Sequence, residues 1–409
     1  MRHDGTSVAA DRSTLEDVMH PRSIWAIGCG QLVNWGVLFF AYSVLLVPLQ
    51  DAFDAPRWLI AGAFSLGLLV SAIAAPAVGR LADRGQGPAF MQAGGYVAAG
   101  LLLIWAMLPS IAMTYVVWSA LGLCMAAILY EPVFVIVGRA FSDADARLRA
   151  IATVTVTGGL ASTVFFPGTS ALVTRLGWRD TAIVLAAIIA VSTLVVGNIA
   201  YRDREWSAQT IREAILDTGV GAQSMERLPG IGRMIVVFAL SVIVNAAVSS
   251  NLVAALIDRG LAPTYAASVA ASFGVMQLPG RLLLLNARIA PRPIPLLLAS
   301  FALQIAGLLA LMVHGTIGMW AGVVLFAAGA GLTTLGRPYL VLDQYGADRA
   351  GRANGVIARG QQLARAAGPV AAAALGSRLG YGVVFGGLAV ILVAAMFMTG
   401  RTSATRANL

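Results

Sequence analysis

The sequence is poor in charge and contains no lysine: Asp, Glu and Arg together make up 11% of its 409 residues. An ordinary soluble protein carries about 25% charged residues. A soluble chain of this length also needs polar faces on its helices, because water surrounds each of its domains. Such faces are missing along the chain. The scarcity of charge therefore excludes an ordinary soluble multi-domain protein.

The residues that commonly build metal, redox and catalytic sites are also scarce. Cys29 and Cys124 lie inside apolar runs, and the three histidines (His3, His20 and His314) lie in predicted loops. This distribution excludes a disulfide framework and the spacing of a metal site. No phosphate-binding loop precedes a lysine, and no catalytic constellation is present. We therefore predict that the protein is not an enzyme and that it has no cofactor and no metal.

What the chain does have is apolar runs of about 20 or more residues, each long enough to cross a bilayer core of about 30 Å. The runs do not alternate, so they are predicted to be helices, which satisfy their backbone groups in lipid. The predicted fold class is an all-α polytopic membrane protein. Its twelve predicted spans are 24–50, 58–79, 89–108, 111–141, 150–173, 181–200, 233–257, 264–286, 293–313, 316–341, 353–377 and 380–400.

The segments outside the spans define the predicted domain organisation. Residues 1–22 form a polar tail with no removable signal peptide, and 201–232 form a charged linker. The tail and linker flank bundles at 23–200 and 233–400, and 401–409 form a second tail.

The halves also repeat short motifs at nearly constant offsets of 201, 203 and 206 residues: 79–81 with 280–282, 175–178 with 378–381, and 131–132 with 337–338. This pattern predicts a duplicated six-span unit with a site between its halves.

The distribution of arginine predicts the orientation. All 28 basic residues are arginines, placed singly or in pairs between apolar spans, so the net charge of +9 does not indicate a nucleic-acid partner. With the N-terminus inside, 20 arginines face the cytoplasm. The outer loops hold five, namely Arg57, Arg175, Arg179, Arg259 and Arg378. This bias places both termini in the cytoplasm.

The loop after the second span carries a resemblance to a known family. Residues 79–84, Gly-Arg-Leu-Ala-Asp-Arg, resemble the loop signature of the major facilitator superfamily, although Gln86 and Pro88 depart from its end. The resemblance implies two six-helix bundles related by pseudo-two-fold symmetry and a secondary transporter. It also implies a conformational latch formed by Gly79, Asp83, Arg84 and Arg139; an ordinary solvated turn is the alternative. Residues 34–36 and 177–179 are more weakly similar to the monocarboxylate and oxalate–formate carriers.

Within the predicted spans, Glu131 is the acidic residue at membrane depth; the other 18 lie in loops, termini or span ends. An ionisable group there costs roughly 2.5–3.5 kcal/mol on insertion scales, so it indicates a functional site. Pro132 beside it permits a helix kink. We interpret Glu131 as a proton-coupling or gating carboxylate. The alternatives are a structural pair with an arginine and a side chain that reaches water at the inner end.

Three arginines and several neutral polar residues within spans are candidates for substrate binding. Arg359 and Arg365 lie about 120° apart on one helix, so only one of them can squarely face a given cavity. Arg337 either attracts an anionic substrate or pairs with Glu131 across the cytoplasmic gate, and the alternative is that it reaches the inner headgroups. Helix–helix hydrogen bonds are the alternative role for the neutral residues. The candidates are Arg337, Arg359, Arg365, Gln361, Gln31, Trp35, Tyr42, Asn245 and Ser249.

These features predict a secondary transporter of the inner membrane that moves a small organic anion or metabolite by alternating access, coupled to protons. The predicted partners are the substrate, protons and the lipid bilayer, and the predicted state is a monomer. An exporter of amphipathic drugs and a transporter-like sensor that moves nothing are the alternatives. The sequence leaves open the substrate, the direction of transport and the coupling ion.

Overall fold

The computed structural model describes residues 21–82, 86–141, 144–200, 228–285 and 292–406. Most of the predicted N-terminal tail and of the linker lie outside these ranges. In the described part every regular element is a helix. Nine of these helical stretches are long and apolar enough to cross a membrane. The prediction of an all-α polytopic membrane protein is confirmed.

Within the described residues, the first half of the chain contains the eight α-helices below and a π-helical turn at 36–40. The π-turn, Gly36–Phe40, interrupts the first predicted span between α1 and α2. The helices are α1 Pro21–Trp35, α2 Ala41–Phe53, α3 Arg57–Leu81, α4 Gly87–Met107, α5 Ile111–Ile128, α6 Tyr130–Ala140, α7 Ala144–Gly159 and α8 Ala161–Ala200.

In the described part of the second half there are six helices: α9 Ile231–Ile257, α10 Pro263–Leu285, α11 Pro293–Met312, α12 Thr316–Arg365, α13 Ala367–Leu379 and α14 Tyr381–Arg406. Helix α8 contains the end of the predicted fifth span and all of the sixth, and it turns between them at Gly177. Helix α12 contains the predicted tenth span and the start of the eleventh, and it turns between them at Gly346. The predicted fourth span is divided into α5 and α6.

Buried apolar side chains form one large cluster in each half of the chain. Small residues bring helices close together, as is common in membranes. A Cβ atom added to Gly122 of α5 would lie 2.2 Å from the carbonyl oxygen of Gly67 in α3. The bundle boundaries at 200 and 233 stay a prediction.

The repeated motif at 175–178 and 378–381 has a structural cause. Gly177 (φ 78°, ψ 173°) and Gly380 (φ 81°, ψ 152°) occupy a backbone region that is essentially restricted to glycine. Each turn is followed by a buried aromatic residue. Trp178 packs against Trp105 at 5.6 Å between ring centroids, and Tyr381 donates a hydrogen bond to Asn251 Oδ1 at 3.0 Å. The two halves thus make the same turn before their last span.

We expect Gly177→Ala to lower the free energy of unfolding by about 1–3 kcal/mol, because alanine is strained at this φ and ψ. The measurement is a denaturant titration of the purified protein in detergent. Gly168→Ala is the matched control, since Gly168 lies within α8 and its added Cβ meets nothing within 4 Å. Equal stability of the two variants would contradict this account.

Candidate functional site

A cavity of about 440 Å³ lies between the two halves of the chain. This volume lies in the range that is typical of small-molecule sites. Side chains of α1, the π-turn, α3, α5, α6 and α7 line it from the first half, and side chains of α9, α10 and α12 line it from the second half. A ligand in this cavity would therefore contact both halves.

The lining from the first half contains a row of aromatic side chains. Five rings follow one another along it, with neighbouring centroids 5.1–5.5 Å apart. We call this row the aromatic wall; in spatial order it consists of Phe134, Tyr130, Trp35, Phe39 and Phe40. Contacts of this kind stabilise by about 0.5–1.5 kcal/mol beyond the buried area. The wall offers an apolar aromatic surface to a ligand, with neighbouring rings inclined at 6–72° to one another.

The lining from the second half is mostly polar. Two arginines, Arg337 and Arg365, lie among neutral hydrogen-bonding side chains. The neutral side chains are Ser241, Asn245, Ser249, Gln277, Thr333, Thr334, Asn354, Gln361 and Gln362. The second half therefore supplies the cavity with hydrogen-bonding capacity and positive charge.

Glu131 enters the cavity from the first turn of α6. The helix break just before it lies at Leu129, whose φ and ψ are −83° and −166°. The Glu131 side chain is exposed in the cavity, and its Oε1 accepts a hydrogen bond from Gln362 Nε2 at 3.1 Å. A carboxylate in the first turn is also favoured by the positive end of the helix dipole. The acidic group therefore links the first half to α12 directly.

Pro132 explains why the fourth span is interrupted at this level. Proline has no N–H, so Pro132 cannot donate to the carbonyl oxygen of Ile128, four residues earlier. That carbonyl instead accepts from Gln31 Nε2 at 2.7 Å and from Asn34 Nδ2 at 3.1 Å. An unpaired carbonyl at membrane depth costs several kcal/mol, and the two amides remove this cost. Gln31 therefore lies behind the cavity lining.

The two cavity arginines are held in different ways. Arg337 donates a hydrogen bond to Gln361 Oε1, and Gln361 donates in turn to the Phe238 carbonyl oxygen at 3.4 Å. The Arg365 guanidinium lies over the Trp35 ring, 5.5 Å from its centroid. Both guanidinium groups interact electrostatically with Glu131. With all three groups ionised, their summed charge is +1.

The remaining substrate-binding candidates are divided by the structure. Trp35, Asn245 and Ser249 line the cavity with Arg337, Arg365 and Gln361. Arg359, Gln31 and Tyr42 do not line it. Arg359 is exposed on α12, outside the cavity.

Tyr42 lies in the core of the first half, where it is 2% exposed and stacks on Phe64. Its hydroxyl donates to the Ile60 carbonyl oxygen at 2.6 Å. In a regular helix Tyr42 would share a face with Gln31 and Trp35. The π-turn at Gly36–Phe40 accommodates one extra residue and so shifts the side chains beyond it by about 100°. This shift moves Tyr42 away from the stripe that the sequence suggests.

The predicted latch stays a prediction. Asp83, Arg84 and the side chain of Arg139 lie outside the described part of the structure. Gly79 lies in α3, where an added Cβ would meet no described atom within 4 Å. No described neighbouring helix therefore approaches α3 closely at Gly79.

Sequence reasoning did not select several residues that line the cavity. Gln362 donates a hydrogen bond to Glu131. Tyr130 and Phe134 stack with their ring centroids 5.2 Å apart and an angle of 6° between the rings. The spacing of Tyr130 and Phe134, four residues apart, would place them on one helix face. No signal in the sequence, however, shows which face meets the cavity.

An ion pair joins the two halves at one end of the cavity. Arg57, at the start of α3, binds Asp258 after the end of α9 through two hydrogen bonds of 2.6 and 3.0 Å. The Arg57 guanidinium also lies 5.9 Å from the centre of the Tyr381 ring. On α3 the cavity lining begins at Leu68, about 16 Å along the helix from Arg57. The ion pair therefore joins the two halves beyond the end of the cavity lining on α3.

Comparison with known proteins agrees with the predicted fold. The family model of the Major Facilitator Superfamily matches residues 24–357. No curated protein matches the sequence. The human organic anion transporter MFSD10 (TETRAN) shares 16% identity over 92% of this chain and 99% of its own, with a TM-score of 0.66.

The peptide transporter POT bound to alafosfalin shares 12% identity over 93% of this chain and 95% of its own, with a TM-score of 0.67. Similarity at these identities establishes the fold alone. The extent of the family match confirms the family that the loop at 79–84 suggested. The chain therefore belongs to the Major Facilitator Superfamily, and it is a multi-pass membrane transporter and not an enzyme.

Proposed function

We propose that the protein is a secondary transporter of small organic anions that works by alternating access. The observation that carries the proposal is a cavity between the two halves whose described lining holds two arginines, Arg337 and Arg365, and one carboxylate, Glu131. Charged groups at membrane depth are costly and mark substrate and ion pathways. A site with excess positive charge attracts an anion and disfavours a cation. The similarity to a structure named as an organic anion transporter is compatible with this substrate class.

The proposal places the protein in the inner membrane as a monomer with both termini in the cytoplasm. In that orientation the Arg57–Asp258 ion pair lies at the extracellular end. The structure would then represent a conformation that is closed to the outside. Rocking of the two halves about the cavity would break this pair and close the opposite end.

The proposal also couples transport to protons through Glu131. Protonation of Glu131 would raise the summed charge of the three cavity groups from +1 to +2. Because the anion then binds more strongly, proton and anion would move together. This is the linkage that a proton-coupled anion symporter requires.

The test of the substrate class is flux into proteoliposomes that contain the purified protein. We expect uptake of carboxylates, and we expect amides of the same shape to be carried far less. Uptake of the neutral compounds alone would reject the anion proposal.

The second candidate function is export of amphipathic drugs. The aromatic wall favours it, because flat apolar compounds can stack there without a charge. In that case lipophilic cations would be carried at least as well as carboxylates.

Breaking the Arg57–Asp258 pair is expected to favour the conformation open at that end. Hydrogen bonds between charged groups contribute about 1.5–3 kcal/mol, which corresponds to roughly 10- to 150-fold in population. We therefore expect Arg57→Ala to raise the labelling rate of a cysteine placed at Asn245 at least tenfold. The reagent is an impermeant maleimide added from outside, in a background lacking Cys29 and Cys124.

Arg179→Ala is the matched control for this experiment. Arg179 donates to the carbonyl oxygens of Ala106 and Leu108 within the first half, so it does not join the halves. The charge-reversed pair Arg57→Asp with Asp258→Arg should restore slow labelling. Unchanged labelling in Arg57→Ala would contradict the gating role.

A further inference from the structure

The division of chemistry across the cavity restricts the kind of anion that fits it. The aromatic wall covers the side of the first half, and Trp35, Tyr130 and Phe134 within it are only partly buried. Rings that served packing alone would be covered on both faces. These rings instead border a space large enough for a compound with a ring. A small aliphatic anion would leave most of the wall in contact with water.

The guanidinium group of Arg365 places a positive charge at the middle of the aromatic wall. It lies over Trp35, the third of the five rings. A carboxylate bound to Arg365 would thus lie beside Trp35. The rest of the ligand would then extend over Tyr130 and Phe134, or towards Phe40, since these rings are partly exposed while Phe39 is 5% exposed. A partly exposed ring can accept a stacked or edge-on aromatic group.

The number of charges agrees with a single anionic group. Arg337 and Arg365 are opposed by Glu131 alone in the described lining, which leaves one positive charge when all three are ionised. One carboxylate neutralises this charge. The neutral amides and hydroxyls of α9 and α12 then remain to bind ring substituents.

From this arrangement we infer that the substrates are monocarboxylates that carry an aromatic ring. The inference rests on the proposed function, because it takes the anion-binding role of the arginines as given. The ring packs against the aromatic wall, and the carboxylate binds the guanidinium side of the cavity. A substrate of this kind contacts both halves at once.

The test uses benzoate, its saturated counterpart cyclohexanecarboxylate, and the uncharged benzamide. Binding to the purified full-length protein is measured by calorimetry, and flux is measured in proteoliposomes. We expect benzoate to bind about twofold to tenfold more tightly than cyclohexanecarboxylate, since this is the range of ring–ring contacts. Benzamide should bind at least tenfold more weakly than benzoate.

Two variants test whether the preference for benzoate over cyclohexanecarboxylate arises from the aromatic wall. Phe134→Leu and Phe40→Leu remove a ring at either end of it while keeping an apolar side chain. We expect at least one of them to reduce the preference for benzoate below twofold. Phe397→Leu is the control, because Phe397 is 67% exposed on α14, outside the cavity. Full preference in both wall variants would overturn the assignment.

The outcomes separate this inference from the proposed function. Equal binding of benzoate and cyclohexanecarboxylate, with benzamide excluded, would overturn the aromatic specificity and leave anion transport standing. Equal binding of benzoate and benzamide would instead overturn the anion proposal. If the folded protein bound none of the three compounds, the inference that one ring and one charge suffice for binding would be overturned.

Discussion

Arg337→Ala is expected to reduce carboxylate uptake by roughly 10- to 150-fold. The substitution removes a hydrogen-bonding cation that faces the proposed anion, and such bonds contribute about 1.5–3 kcal/mol. It also lowers the summed charge of the cavity groups from +1 to zero and leaves Gln361 Oε1 without its guanidinium partner. Arg337→Lys should show an intermediate loss, because lysine keeps the charge but lacks the planar fork.

The measurement is initial uptake of a labelled carboxylate by proteoliposomes, with folding checked by thermal unfolding. Arg359→Ala is the matched control on the same helix. From the sequence alone we would expect a similar loss there, but Arg359 lies outside the cavity, so uptake should be unchanged. Undiminished uptake in Arg337→Ala, or an equal loss in both variants, would remove the basis for an anion site at Arg337.

Glu131→Gln is expected to abolish accumulation of substrate driven by a proton gradient. Glutamine keeps the size of the side chain and an oxygen that accepts from Gln362, but it carries no titrating proton. An inward gradient of one pH unit can drive about tenfold accumulation for each coupled proton. In the variant we expect no accumulation, while exchange of substrate across the membrane continues.

The experiment compares net uptake and exchange in proteoliposomes across a range of external pH. Asp180→Asn is the control, because Asp180 is an exposed carboxylate of α8 outside the cavity. It should accumulate substrate as the unmodified protein does. If Glu131→Gln kept both accumulation and its pH dependence, another group would have to carry the proton, and the coupling role of Glu131 would be rejected.

The break in the fourth span was partly readable from the sequence. A carboxylate followed by proline in an apolar run indicates a kink, and the lost hydrogen bond identifies the Ile128 carbonyl as the group left unpaired. The partners of that carbonyl, Gln31 and Asn34, lie more than 90 residues away in the chain. No local rule selects them, because pairing over that distance depends on how α1 packs against α5.

The arginines illustrate the same limit. Helical spacing shows that Arg359 and Arg365 point in different directions. It does not show which of these directions faces the cavity. Lipid, core and cavity are defined only once neighbouring helices are in place. The π-turn adds a second difficulty. It rotates the side chains that follow it around the axis of the first span, and no obvious sequence feature marks its position.

The sequence by itself determined the class of protein, the helices, the family and the few charged residues at membrane depth. It did so because transfer of charge and of unpaired backbone groups into lipid is costly wherever the chain goes. The tertiary structure decided which of these residues meet: Glu131 with Gln362, Arg365 with Trp35, and Arg57 with Asp258. Those pairings depend on rotation and register between helices that are distant in the chain, and hydropathy carries no information on either.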